Sequence, residues 1–224
     1  MTVQAGNHRY EGPADLPETI PVFPLAGALL LPSGQLPLNV FEPRYVAMID
    51  WALGRDRIIG MIQPRLDQIA RQSEPDLCAI GCAGRIVQFS ETGDGRYLVT
   101  LSGISRFTVL EEIDAATPFR QCRVSAAGFA DIAEPRQGEA EVDRTSLLRT
   151  FRCYLDAHGL EADWESVNKA SNASLVTALS MMSPWGPSEK QALLEAADHA
   201  RRAETLIAIT EIALAGGGAP SSLQ

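Results

Sequence analysis

At 224 residues, 46% of them apolar and 21% charged, the chain has the length and composition of a soluble globular protein of one large or two smaller domains. Nineteen basic against 28 acidic side chains give a net charge of −9, which argues against nonspecific binding to a phosphate backbone, because that needs clustered Lys and Arg. No apolar run approaches the roughly 20 residues that span a bilayer, and the opening MTVQAGNHRYEGPADLPETIP lacks the basic-then-apolar order of a secretory signal, so a cytoplasmic protein without membrane contact is expected.

Residues 1–19 read as a tail. Ile20 to Leu25 is extended, but Pro21 and Pro24 remove ladder donors, which predicts a sheet edge or an irregular strand. Leu29-Leu30-Leu31 then reaches the turn signal Pro32-Ser33-Gly34, and Leu36 to Phe41 returns as a strand. Three consecutive leucines put apolar groups on both faces, so the face away from the sheet core must meet a second layer or a partner. In LPLNVFEPRY (36–45), Pro43 suits the first helical position, where its missing N–H costs nothing. Tyr45, Val46, Met48, Ile49, Ala52 and Leu53 follow at helical spacing as far as Gly54. Glu42 falls at the cap and Arg44 in the first turn. The pair reads as a helix joint, with the carboxylate on backbone N–H groups and an ion pair to Arg44, rather than as a catalytic site.

Arg57 to Ile62 predicts a short buried strand, and Leu77 to Phe89 a long one interrupted at Gly81 and Gly84, which suit a bulge or sharp bend. Glu91-Thr92-Gly93-Asp94-Gly95-Arg96 is a hairpin signal leading into Tyr97 to Gly103. Arg106 to Leu110 and Gln121 to Val124 complete a compact β unit over 20–127. Residues 128–138 form a linker to a helical unit, 139–215. There Leu147, Leu148, Phe151, Tyr154 and Leu155 make one stripe, ending at His158-Gly159, and Leu175, Val176, Leu179 and Met182 make a second. A third helix opens at Pro187, with Ser188 and Gln191 at capping-box spacing, and runs through Leu214. Residues 216–224 predict a disordered tail.

Cys78, Cys82, Cys122 and Cys153 stand in apolar surroundings. On one strand, Cys78 and Cys82 would have Cα atoms about 13 Å apart, too far for a disulfide. A structural zinc site needs a second close Cys/His pair, so buried reduced thiols are expected. His8, His158 and His199 lie in the tail, at a helix end and on an exposed helix face, none at metal-ligand spacing. Gly103-Ile104-Ser105-Arg106-Phe107 lacks the second glycine of a nucleophile elbow. Lys169 and Lys190, the only lysines, follow no glycine and fall on polar helix faces, which leaves no phosphate loop and no Ser–Lys dyad. Gly81-Cys82-Ala83-Gly84 lacks dinucleotide-loop spacing, and the carboxylates Asp94, Glu111 and Glu112 suit turns and strand ends. The expectation is no catalytic residue, no metal and no cofactor; no binding residue is assigned.

Four segments together resemble the Lon protease N-terminal, substrate-binding domain family: residues 20–49, 59–64, 78–109 and 178–209. The P-L-x-x-F-E-P-R-Y core and the D-G-R-Y…G-x-x-R-F pair carry most of the likeness, and Asn39 departs from it, standing where the family often has His. The resemblance implies an α+β fold, a PUA-like β-barrel followed by a C-terminal helical bundle. It implies a non-catalytic module that binds unfolded or extended polypeptides in protein quality control, with a separate ATPase or protease as a further partner. It transfers no catalytic residue, because the family's are in ATPase and Ser–Lys protease modules that these segments do not include. On the residues alone, the Leu29–Leu31 run and the proline-broken first strand point to an apolar, partly unpaired edge for strand addition. The alternatives are an RNA-binding PUA-like module, which the negative charge opposes, and a cryptic peptidase or hydrolase.

Overall fold

The computed structural model describes residues 2–65 and 75–216. The chain divides into two compact units, 1–135 and 136–224.

In the first unit, β1 (Val3–Ala5) and β2 (His8–Tyr10) pair as a hairpin across Gly6, whose φ of +58° suits glycine. The segment 1–19, expected as a tail, thus holds structure over its described residues, 2–19. Val3, Ala5 and Tyr10 are buried in one core with Ile20, Val22, Ile104 and Phe107, so apolar burial pins the segment. The remaining strands are β3 (Thr19–Pro24), β4 (Gln35–Val40), β5 (Ile58–Ile62), β6 (Ile80–Glu91), β7 (Tyr97–Ile113) and β8 (Gln121–Ser125). They run in the order β4-β7-β6-β5-β3-β8, and β8 pairs again with β7. Five strands therefore close a ring on which β4 hangs as an extra strand, rather than forming an uninterrupted barrel.

The 17 residues of β7 make closure possible. It pairs with β6 over Tyr97–Thr108, while β4 takes Tyr97–Ser102 and β8 takes Thr108–Ile113. Gly103, expected to end a strand, lies inside β7. A Cβ there would overlap the Leu31 carbonyl oxygen, so the glycine admits a close backbone approach instead of a turn. Phe107 packs over Gly60 and Gly81, where a Cβ would stand 2.9 Å and 2.5 Å from its Cζ. The bulge expected around Gly84 is present, between Ala83 and Gly84.

Of the two places expected for β3, a sheet edge or an irregular strand, it takes the second. Thr19–Pro21 pairs with β8 and Val22–Pro24 with β5, so the strand changes partner midway. Donors next to each proline complete the ladder: Val22 N–H to Arg120 O at 2.9 Å and Leu25 N–H to Ile62 O at 3.0 Å. The leucine run differs from expectation. Leu29, Leu30 and Leu31 are irregular and fully buried, with Leu30 filling the space over Gly84 and Gly103. The apolar edge anticipated there is core.

Helix α1 (Pro43–Leu53) begins with Pro43 at its first position and buries Tyr45, Met48, Ile49 and Ala52. Glu42 occupies the cap position but makes no side-chain cap bond; its carboxylate takes Arg44 instead. Beyond β8, residues 128–135 are more than a linker. Asp131 accepts from Arg106 N–H at 2.8 Å, Nε at 3.0 Å and Nη2 at 2.7 Å, and Ile132 is buried. Arg106 of G-x-x-R-F is a structural clasp.

The second unit comprises α2 (Arg144–His158), α3 (Trp164–Lys169), α4 (Asn172–Met182), α5 (Pro187–Glu195) and α6 (His199–Ala215). Asp143, Asp163, Ser171 and Asp198 cap four of them through backbone N–H groups, and Gly159 ends α2 in the left-handed region. The third predicted helix is two. Asp198 accepts from Arg201 N–H at 2.9 Å and starts α6, while buried Arg202 donates to Leu193 O at 2.8 Å, satisfying a carbonyl at the end of α5. Gly186, not Ser188, holds the cap of α5. Met182 is 82% exposed, off the buried stripe. The tail expected at 216–224 lies, from residue 217 on, outside the described residues.

Candidate functional site

The residues that could carry chemistry are dispersed or buried. Ser105 is fully buried, and its hydroxyl donates to Arg106 O at 2.9 Å. Both lysines fall in the second unit: Lys169 pairs with Glu165 at 2.5 Å, and burial holds Lys190 below its ordinary pKa. Cys82 and Cys122 are buried, Cys122 with its thiol pushed up to about 11, mainly by burial, which keeps it protonated and inert. Cys78 is only half-buried and Cys153 is exposed on α2, so the expectation of four buried thiols fails for those two. His8 is exposed, and His158 Nδ1 lies 2.8 Å from Tyr154 O. His199, expected on the surface, is buried at the start of α6. Among the described residues, no group of three His, Cys, Asp or Glu side chains could hold a metal, and no helix is long and apolar enough to cross a membrane.

One concave feature of the first unit has the composition of a binding site. A cleft of about 120 Å³ is lined by Pro24 at the end of β3, Pro64 just beyond β5, Pro75, Pro118, Phe119 and Arg120 ahead of β8, and Arg44 and Tyr45 in the first turn of α1. Aromatic contacts fix its walls. The Tyr45 ring lies 4.1 Å from that of Phe23 and under the Arg44 guanidinium at 4.5 Å; Phe119 meets Trp51 edge-on at 6.0 Å. Arg120 is anchored on three sides, by Glu112 at 2.5 Å through Nε and Nη2 and by Pro75 O at 2.8 Å through Nη1. Arg44 is held on one side only: Nε and Nη2 reach Glu42 Oε2 at 3.0 Å and 2.9 Å. Chemically the cleft offers apolar and ring faces, cationic groups and, from its four prolines, no backbone donors.

The E-P-R-Y joint also lines this cleft, a placement that sequence reasoning missed. Pro43 at the first helical position sets Tyr45 on the buried face while Arg44 stays half-exposed. The other lining residues come from separate segments, and four prolines at element ends carry no sequence signal that would join them.

The second candidate surface is the outer edge of β4, which pairs with β7 alone among the described residues. The ladder opens on a bulge, with Ser33 N–H donating to Gly103 O and Gly103 N–H to Gly34 O, so by alternation Leu36, Leu38 and Val40 bond to β7 while the backbone groups of Gln35, Pro37 and Asn39 turn outward. Pro37 then sits where no N–H can be offered to an incoming strand, a common way of blunting an edge.

A family model described as "ATP-dependent protease La (LON) substrate-binding domain" matches residues 19–211. Among curated proteins the chain is similar to "Lon protease 2" of Myxococcus xanthus, 31% identical over 126 residues, covering 56% of this chain and 15% of that protein. It is also similar to "Lon protease 2" of Thermus thermophilus, 26% identical over 207 residues, covering 89% of this chain and 25% of that protein. The chain thus spans a quarter or less of these two relatives. Among solved structures, a Lon N-terminal domain protein from Xanthomonas campestris superimposes with a TM-score of 0.59 at 25% identity, covering 85% of this chain and 97% of that one. The N-terminal domain of Mycobacterium avium complex Lon protease superimposes with a TM-score of 0.61 at 19% identity, covering 86% and 98%. The latter likeness is one of fold.

Proposed function

We propose, from the premise that this chain belongs to the LON substrate-binding domain family, that it acts by holding unfolded or extended polypeptide and makes or breaks no bond itself. The observation that carries this reading is the proline- and aromatic-walled cleft beside α1, which offers rigid apolar contact and side-chain donors suited to a peptide. Burial of Ser105, whose hydroxyl donates to Arg106 O, supports the non-catalytic part. Delivery of the held chain to a separate ATPase or protease is the role we assign to such binding. Strand addition at β4 is the less favoured route, because Pro37 interrupts the edge.

The test is titration calorimetry with one model protein, native and permanently unfolded by reduction and alkylation. Binding of the unfolded form alone is expected; equal heats, or none from either form, would refute the proposal. Casein incubated with the protein should remain uncut.

A further inference from the structure

Among the described residues that line the cleft, the charged groups are cationic. Arg44 and Arg120 are lining residues, whereas their counter-ions Glu42 and Glu112 are not. Both glutamates engage the guanidinium groups from outside the described lining, so the charged atoms that face the cleft among the described residues belong to arginines although the protein is acidic. Arg44 also keeps a donor in reserve: Nε and Nη2 are on Glu42, and Nη1 has no partner among the described residues. The polar group that complements this wall is an anionic acceptor.

Size sets the apolar part. A dry apolar cavity of about 150 Å³ holds a benzene, so a cleft of about 120 Å³ accommodates a side chain of Val, Leu or Met size between Tyr45 and Phe119, and not an indole. An apolar side chain and an anion must therefore share one small site. In an extended chain successive side chains point to opposite faces, so an acidic neighbour would carry its carboxylate away from the cleft. Only at a chain terminus does an apolar residue bear a carboxylate on its own α-carbon.

We infer that the cleft captures the C-terminal residue of a polypeptide, its aliphatic side chain against Tyr45 and Phe119 and its α-carboxylate on Arg44 Nη1. This rests on the polypeptide-binding reading and deepens it by naming the feature read. Arg120 contributes charge, while its directed donors stay on Glu112 and Pro75.

Fluorescence anisotropy with a labelled ten-residue peptide ending in Leu tests it, using the free acid, the C-terminal amide, and a free acid ending in Trp. The free Leu acid should bind about tenfold or more tightly than the amide, as expected for loss of one charge-assisted hydrogen bond, with the gap narrowing as salt rises. The Trp acid should bind more weakly than the Leu acid. Arg44→Gln should bring the acid down to the affinity of the amide and leave the amide unchanged, with an unaltered melting temperature. Pro118→Trp, at an exposed lining residue, should weaken the acid without touching Arg44. Equal binding of acid and amide by the unsubstituted protein, or a preference that survives Arg44→Gln, would overturn the inference. An unfolded protein bound equally tightly with a free or an amidated C-terminus would do the same while leaving the general reading intact. Silence toward every peptide and every unfolded protein would remove both.

Discussion

The two arginines of the family-like motifs, Arg44 of F-E-P-R-Y and Arg106 of G-x-x-R-F, each pair with a carboxylate and differ in almost everything else. Arg106 and Asp131 are 4% and 9% exposed, and the carboxylate also accepts the Arg106 backbone N–H. Arg44 and Glu42 are 47% and 45% exposed, with one carboxylate oxygen shared between two donors and a third donor unspent. A desolvated pair must be completely satisfied or it becomes a liability, whereas a half-exposed pair contributes little to stability and its groups stay available. Burial, not motif membership, separates the clasp from the candidate site.

The largest effect should come from breaking the clasp. Asp131→Ala removes the carboxylate that takes the Nε, Nη2 and backbone N–H of a buried arginine, and should cost about 3–5 kcal/mol of unfolding free energy in denaturant titration. Arg106→Met combined with Asp131→Leu removes both charges, and should be less destabilising than Asp131→Ala alone. If the double variant is the worse of the two, the clasp is favourable in itself and the desolvation account is wrong.

Between the extremes stands Glu139 of the helical unit, 13% exposed beside an Arg136 that is 59% exposed. Its carboxyl is held at about 2, chiefly by the hydrogen bond from Arg136 and also by the Ala173 backbone N–H at 3.0 Å. A folded pKa below the unfolded one gives stability that is fully present above about 4.5 and lost as pH falls from there toward 2. With an allowance for solvent screening at Arg136, about 2 kcal/mol should disappear across that window. Urea titrations of the unsubstituted protein and Glu139→Gln at pH 6 and pH 3 should converge as acid is added. A difference that stays constant would show that the carboxylate is not depressed.

What the sequence revealed and what it hid follow the same division between local and distant causes. Pro43 starting α1, the Gly93/Gly95 hairpin and the β-then-α order are set by neighbouring residues, and they were legible. Leu29–Leu31 was misread because its apolar character is the same whether it lines an edge or fills a core; Gly84 and Gly103, more than 50 positions away, make the room for Leu30. The choice for β3 between an edge and an irregular strand was open because the partner change that accommodates Pro21 depends on β5 and β8. Asp198, inside the one long helix expected from Pro187 through Leu214, is the cap that divides it. Least legible was the cleft, whose lining is assembled from several segments by ring closure; only Arg44 and Tyr45 stood in a motif that could have drawn attention.

The smallest effect is expected at Arg44, and its smallness matters. A side chain 47% exposed, paired to a glutamate just as open, should change unfolding free energy by less than about 0.5 kcal/mol when replaced by Gln. The Tyr45 ring keeps its packing on Phe23 at 4.1 Å, and Pro43 still starts the helix. Unfolding free energies of Arg44→Gln and Asp131→Ala, from denaturant titrations run side by side, should therefore differ by several kcal/mol although each change removes one partner of an arginine–carboxylate pair. If Arg44→Gln instead destabilised the fold as Asp131→Ala does, the exposed pair would be structural after all, and any loss of peptide binding in that variant would report unfolding rather than recognition.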